Sequence, residues 1–149
     1  MVRMTMQSLL GSVFGAALLA SSSSTVFAQA PEGYFTKEQA ASGAALFSAN
    51  CAQCHGDQGQ GKLGAYPTLS GNRAVNMHTT ANLVQMLLYG GYSPATQGNP
   101  RPYGMPPYVL VLKDSEVAAV LTYVRNSWGN EAAEVSEVEV NRHRTTQGH

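Results

Sequence analysis

Cys51-Ala52-Gln53-Cys54-His55 carries the most specific chemistry in this chain of 149 residues. The spacing C-x-x-C-H fits covalent attachment of a heme. Two thiols three positions apart can each add to one vinyl group of the porphyrin. The histidine beside the second thiol is then held under the iron. Thioether formation requires sulfur, and a neutral imidazole nitrogen is a good iron ligand.

Other chemistries fit these residues less well. A structural zinc site needs two further ligands at similar spacing. The chain holds two cysteines, and its other histidines are His78, His143 and His149. A thioredoxin-like pair sits near a βαβ pattern, and no strand-rich stretch surrounds this one. A disulfide across two intervening residues stays open for an exported protein, but it leaves His55 without a role.

A heme iron has a sixth position, for which Met77, Met86, Met105 and His78 are the candidates. Met86 falls on an apolar helical stripe and reads as core. Met77 and His78 follow the motif closely and reach the iron only if the loop doubles back. Met105 sits in Tyr103-Gly104-Met105-Pro106-Pro107-Tyr108, where the prolines stiffen an extended path. A thioether is soft and neutral, so Met/His ligation raises the reduction potential relative to bis-histidine. The alternative is an open sixth site, which would suit a heme-based sensor or enzyme.

Helices and loops must position these groups. Thr36-Lys37-Glu38-Gln39 is a capping box that opens a helix from Lys37 to about Asn50. Its apolar side holds Ala40, Gly43, Ala44, Phe47 and Cys51. Glycine inside a helix costs about 1 kcal/mol relative to alanine, so Gly43 predicts a close crossing by another helix. Gly56 to Gly64 is polar and glycine-rich, hence loop, and no Lys-Ser/Thr pair completes a phosphate-binding pattern. Thr79 or Thr80 caps a second helix to Tyr89, with Leu83, Met86 and Leu87 as its stripe and Gly90 as its stop.

Residues 91–109 form a long loop in which five prolines forbid regular helix. Such a loop inside a compact domain is usually functional. Asp114 then caps a third helix through Ser127, with Val117, Val120, Leu121 and Val124 on one side. Ser136-Glu137-Val138-Glu139 opens a short terminal helix, and Thr145 to His149 are expected to fray. With no strand pair, the chain reads as all-α: three core helices and long loops.

The N-terminus reads as a secretory signal. Arg3 is the basic region, Leu9 to Ala20 the apolar stretch, and cleavage follows residue 28 or 30. A membrane span needs about 20 apolar residues, and this run is roughly a dozen, although an uncleaved anchor stays open. The expected organisation is a signal at 1–30, a heme domain at 31–130 and an extension at 131–149. A mature chain of roughly 120 residues has a marginal core, so the heme-free form is expected to fold poorly. Nine basic residues balance nine acidic ones, leaving no footprint for nucleic acid or anionic membrane.

The ordered set of motifs resembles the class I c-type cytochromes. It comprises the glycine-containing first helix, Cys51 to His55, Tyr66-Pro67-Thr68-Leu69, Gly104-Met105-Pro106 and Leu121-Thr122-Tyr123-Val124. More narrowly, Leu69-Ser70-Gly71-Asn72-Arg73, the run from Gly98 to Pro107 and the run from Ala119 to Asn130 are similar to the third heme domain of the cytochrome subunit of bacterial quinohemoprotein alcohol dehydrogenases. That subunit has three heme motifs, and this chain has one.

The resemblance implies the cytochrome c fold wrapped around one covalently bound heme c. It implies His55 and Met105 as axial ligands. The Pro67 carbonyl would accept a hydrogen bond from His55, Gly43 and Phe47 would cross the last helix near Tyr123, and Leu69 and Arg73 would contact the heme. Arg101 and Tyr103 fall in a similar motif. The implied role is a periplasmic electron carrier rather than an enzyme, exchanging electrons with a periplasmic dehydrogenase and a terminal oxidase or other redox protein. The segment from Trp128 to His149 is a candidate docking element.

Overall fold

The computed structural model describes residues 36–98 and 100–146. The expected signal and its cleavage sites lie outside them. The helices among the described residues are α1 (Lys37–Asn50), α2 (Ala52–His55), α3 (Ala81–Tyr89), α4 (Asp114–Arg125) and α5 (Glu137–Thr146). Among these residues extended pairing is limited to isolated bridges, Lys62 with Tyr66 and Gly91 with Met105. The fold is all-α.

Helix α1 begins where Thr36 Oγ1 accepts from the Gln39 amide at 3.1 Å. It crosses α4 at Gly43, where a Cβ would lie 2.4 Å from the Ala119 carbonyl oxygen and 2.7 Å from Tyr123 Cβ. No larger residue allows that approach, which accounts for a glycine in mid-helix. One turn later the buried Phe47 ring packs 5.7 Å from Tyr123 and 4.9 Å from Trp128.

The expected stripe of α4 is buried as Val117, Val120, Leu121 and Val124. Its start differs by one residue. Lys113 is the cap and Asp114 the first helical position, and the Glu116 carboxylate accepts from the Lys113 amide at 2.8 Å. Asp114 does not cap because its carboxylate is taken by Asn141 and Arg144. The helix stops at Arg125, short of Ser127. Asn126 Nδ2 donates to Thr122 O at 2.9 Å and Ser127 Oγ to Tyr123 O at 2.6 Å, so side chains satisfy the last carbonyls.

Helix α3 corrects the expected stripe. Its core face is Val84, Leu87 and Leu88, while Leu83 and Met86 are half-buried. The helix is apolar on two sides because the core lies on one and a cavity on the other. Thr80 precedes α3, but its hydroxyl donates to the Glu139 carboxylate instead of capping.

Helix α5 opens with the Glu139 amide on Ser136 Oγ at 3.2 Å. The segment carrying it sinks Val135 and Val140 into the core. Full burial of such a side chain contributes about 1.5–3 kcal/mol. Thr145 and Thr146 belong to the helix, their hydroxyls bonded to carbonyls three and four residues back. The expected fraying therefore does not begin at Thr145; residues 147–149 lie outside the described set.

Candidate heme-binding site

Helix α2 is a single turn that carries the C-x-x-C-H motif directly off the end of α1. Cys51 N donates to Phe47 O at 2.8 Å, and His55 N donates to Cys51 O at 2.9 Å. Cys51 is buried, Cys54 half-buried, and both thiols are free. Burial, reinforced by Cys54, pushes the Cys51 thiol up to about 11. A redox-active pair works through a thiolate of depressed pKa, so this environment runs against the thioredoxin-like alternative.

His55 Nδ1 lies 3.1 Å from the Pro67 carbonyl oxygen. A carbonyl only accepts, so Nδ1 carries the hydrogen and Nε2 keeps its lone pair. Burial lowers the His55 pKa, opposed by that hydrogen bond. The neutral imidazole is the form that ligates metal.

The glycine-rich loop explains how Pro67 arrives there. Gly61 has φ +65, and a Cβ on it would lie 2.7 Å from the Pro67 carbonyl oxygen. Its own amide donates to His55 O at 2.7 Å. The loop thus clasps the histidine backbone while leaving room for the second strand of chain.

Cys51, His55, Pro67, Leu69 and Met105 all line one largely apolar cavity of about 1060 Å³. Met105 is half-buried against the core. Its backbone exchanges both hydrogen bonds with Gly91, N to O at 2.8 Å and O from N at 3.1 Å. Tyr108, just beyond the prolines, donates its amide to Leu87 O and Leu88 O at 3.1 Å and its hydroxyl to Asn50 O at 2.7 Å.

Other sequence candidates fall differently. Met77 and Met86 also line the cavity. Met86 is therefore not simply core, since its side of α3 forms the cavity wall. His78 is exposed and does not reach the wall. Arg73 is exposed too, on the turn 71–77, and stands outside the lining. Arg101 is exposed. Tyr103 stacks 5.5 Å from Tyr66 rather than entering the cavity. Cys54, half-buried on α2, is not among the residues that line the cavity.

Two residues escaped the sequence reading. Asn130 is 3% exposed and ties the cavity loop to α4. Its Oδ1 accepts from Gly71 N and Asn76 Nδ2, while its Nδ2 donates to Leu69 O and Val124 O. Arg125 is 1% exposed and donates to Val75 O at 2.6 Å, Met77 O at 2.9 Å and Ala133 O at 2.7 Å. A helical period was the available clue for Arg125, which follows Val117 and Leu121 at steps of four onto the buried face.

A family model described as cytochrome c matches residues 40–128. The chain belongs to the cytochrome c family. The cytochrome c subunit of the quinone-dependent alcohol dehydrogenase of Gluconobacter oxydans is 35% identical over 109 residues, covering 72% of this chain and 23% of the relative. The fructose dehydrogenase cytochrome subunit of Gluconobacter japonicus is 36% identical over 99 residues, 63% of this chain and 20% of the relative. Cytochrome c-552 of Thermus thermophilus is 36% identical over 93 residues, 60% of this chain and 70% of the relative. This cytochrome thus spans less than a quarter of the alcohol and fructose dehydrogenase subunits that it matches.

A cytochrome c domain transfers electrons through covalently bound heme c. The residues here fit that group: free thiols on one helical turn, an oriented neutral imidazole, and an apolar cavity of about 1060 Å³ beside them.

Proposed function

We propose that this cytochrome is a periplasmic single-electron carrier, with Cys51 and Cys54 joined to heme c and His55 and Met105 as the iron ligands. Electrons would come from a periplasmic dehydrogenase and pass to a terminal oxidase or another redox protein. One observation carries the reading: His55 and Met105 line the same cavity from two independently pinned segments. The heme, when bound, supplies the one-electron chemistry.

The chain's own residues do the rest. Pro67 holds the imidazole in the ligating tautomer. Pro106 and Pro107 give Met105 little freedom to swing. Apolar walls exclude water and disfavour the more charged oxidised state, as does the neutral thioether. With His55 and Met105 both holding the iron, no position for a substrate would remain on it.

Export is supported by the N-terminal pattern. Among the described residues no helix is long and apolar enough to cross a membrane. The dehydrogenase partner is supported by relatives named as dehydrogenase cytochrome subunits. Redox docking of this kind is small and transient. A shuttle would elute as a monomer, whereas a dedicated subunit would co-purify with a large partner.

The test is the pyridine hemochrome and ferric spectrum of the exported protein. A c-type hemochrome with the weak long-wavelength Met–Fe(III) band supports the reading. Carbon monoxide binding to the ferrous form without denaturant would instead favour the open-site sensor or enzyme.

A further inference from the structure

We propose that Arg144, on the terminal helix, is a positioning residue for Met105. The proposal rests on the reading of Met105 as ligand. Arg144 lies beyond the family match, which ends at residue 128. Its guanidinium spreads over three acceptors on the chain that returns from Met105 to α4. Nη1 donates to Val109 O, Nη2 to Leu112 O at 2.9 Å, and Nε to Asp114 Oδ1 at 2.5 Å. Asn141, one turn earlier, donates to the other Asp114 oxygen at 2.8 Å.

The same turn of α5 is tied to the other side of the methionine loop. Tyr89 Oη donates to His143 O and Arg144 O at 3.2 and 3.1 Å. Tyr89 ends α3, and Gly91, two residues on, pairs with Met105. The terminal helix therefore joins both strands of the bridge that presents the thioether.

Pro106 and Pro107 have no amide hydrogen to give. The return segment depends on Tyr108, Val109 and Leu112 for its anchorage. Without Arg144, the Val109 and Leu112 carbonyls lose this donor and Asp114 loses its counter-charge. A lysine cannot replace it, because one ammonium cannot present a planar fork to acceptors on three residues. Loosening this clasp raises the fraction of molecules in which Met105 is away from the iron.

Imidazole titration of the ferric, heme-loaded protein reads that fraction, since imidazole binds where Met105 has left. Arg144→Ala should bind imidazole about tenfold more tightly, equivalent to about 1.4 kcal/mol. Arg144→Lys should resemble it. Arg142→Ala, on the exposed side of α5, should titrate as wild type. A lower denaturation midpoint with wild-type imidazole affinity would make Arg144 merely structural and overturn the proposal.

Met105→Ala separates the two readings. If it abolishes the long-wavelength band while Arg144→Ala titrates as wild type, the clasp is wrong and ligation stands. If it leaves the band intact, the ligand assignment itself falls, and the clasp with it. Should Arg144→Ala fail to accumulate, Asp114→Asn weakens the same clasp. It should tighten imidazole binding in the same direction by a smaller factor, and an unchanged affinity would overturn the proposal.

Discussion

Asn130 and Leu69 stand 61 residues apart in sequence, and Asn130 Nδ2 donates to the Leu69 carbonyl at 3.0 Å. The bond fastens the wall of the apolar cavity to the far end of α4. The same amide group serves Val124 O at 2.8 Å, and its oxygen serves Gly71 N at 3.0 Å and Asn76 Nδ2 at 2.8 Å. All four hydrogen-bonding positions of a buried amide are thereby filled.

Asn130→Ala should accordingly destabilise the protein by about 2–4 kcal/mol, because each abandoned buried group costs about 1–3 kcal/mol. Asn130→Asp should not rescue it, since a carboxylate cannot donate to Leu69 O or Val124 O. Urea denaturation of the heme-loaded variants measures both. A loss under about 0.5 kcal/mol, typical of a surface substitution, would refute this role for Asn130.

Gly43 sets two effects against each other. Helix propensity alone favours Gly43→Ala by about 1 kcal/mol. The new Cβ would lie 2.4 Å from Ala119 O, and overpacking of that kind costs about 1–3 kcal/mol. The oxygen belongs to α4 backbone and cannot swing away, so the clash should win. Denaturation should show a net loss for Gly43→Ala and a larger one for Gly43→Val; a gain in stability would mean the helices are free to part.

Acid should erode the link between α4 and α5. Burial alone would raise the Asp114 pKa, but hydrogen bonds from Asn141 and Arg144, with the guanidinium charge, hold it below the usual carboxylate range. A depressed folded pKa contributes stability that is complete above the unfolded value, about 3.9. That contribution fades as pH falls through the folded value. The stability gap between wild type and Asp114→Asn should be widest at pH 5–7 and shrink below about pH 4. A gap that stayed constant down to pH 2 would remove Asp114 from the acid response.

Much of this architecture was legible because local rules and tertiary need agree. The Thr36 cap, the Gly43 crossing, the Val117 to Val124 stripe and the Gly90 stop all appear where helix periodicity and capping chemistry place them. The misses share a cause. Asp114 looks like a cap until Arg144 claims its carboxylate from 30 residues away. Met86 looks like core until the cavity takes that side of α3. Asn130 and Arg125 bond mostly backbone groups, which leave no trace in the sequence of their partners; for Arg125 only the helical period marks the buried face. The family resemblance supplied what periodicity could not, the pairing of His55 with Pro67, whereas the glycine and prolines around Met105 had already singled it out as the candidate sixth ligand.

The cavity also predicts behaviour without heme. A void of about 1060 Å³ far exceeds the engineered apolar cavities of about 150 Å³ that proteins keep open. A Cys51→Ala/Cys54→Ala variant, denied both thioethers, should lose heme on purification and with it most of its cooperative unfolding transition. Far-ultraviolet circular dichroism during urea titration tests this. A sharp native-like transition in the heme-free protein would show that the helices pack without the group.

The most direct test of the central claim is the ferric spectrum of the heme-loaded protein beside its Met105→Ala, Met86→Ala and Met77→Ala variants. His55/Met105 ligation predicts the weak long-wavelength methionine band in wild type, in Met86→Ala and in Met77→Ala, and its loss in Met105→Ala alone, with covalent heme retained throughout. Persistence of the band in Met105→Ala, with its loss in either of the other two, would contradict the account and move the sixth ligand to another wall of the cavity.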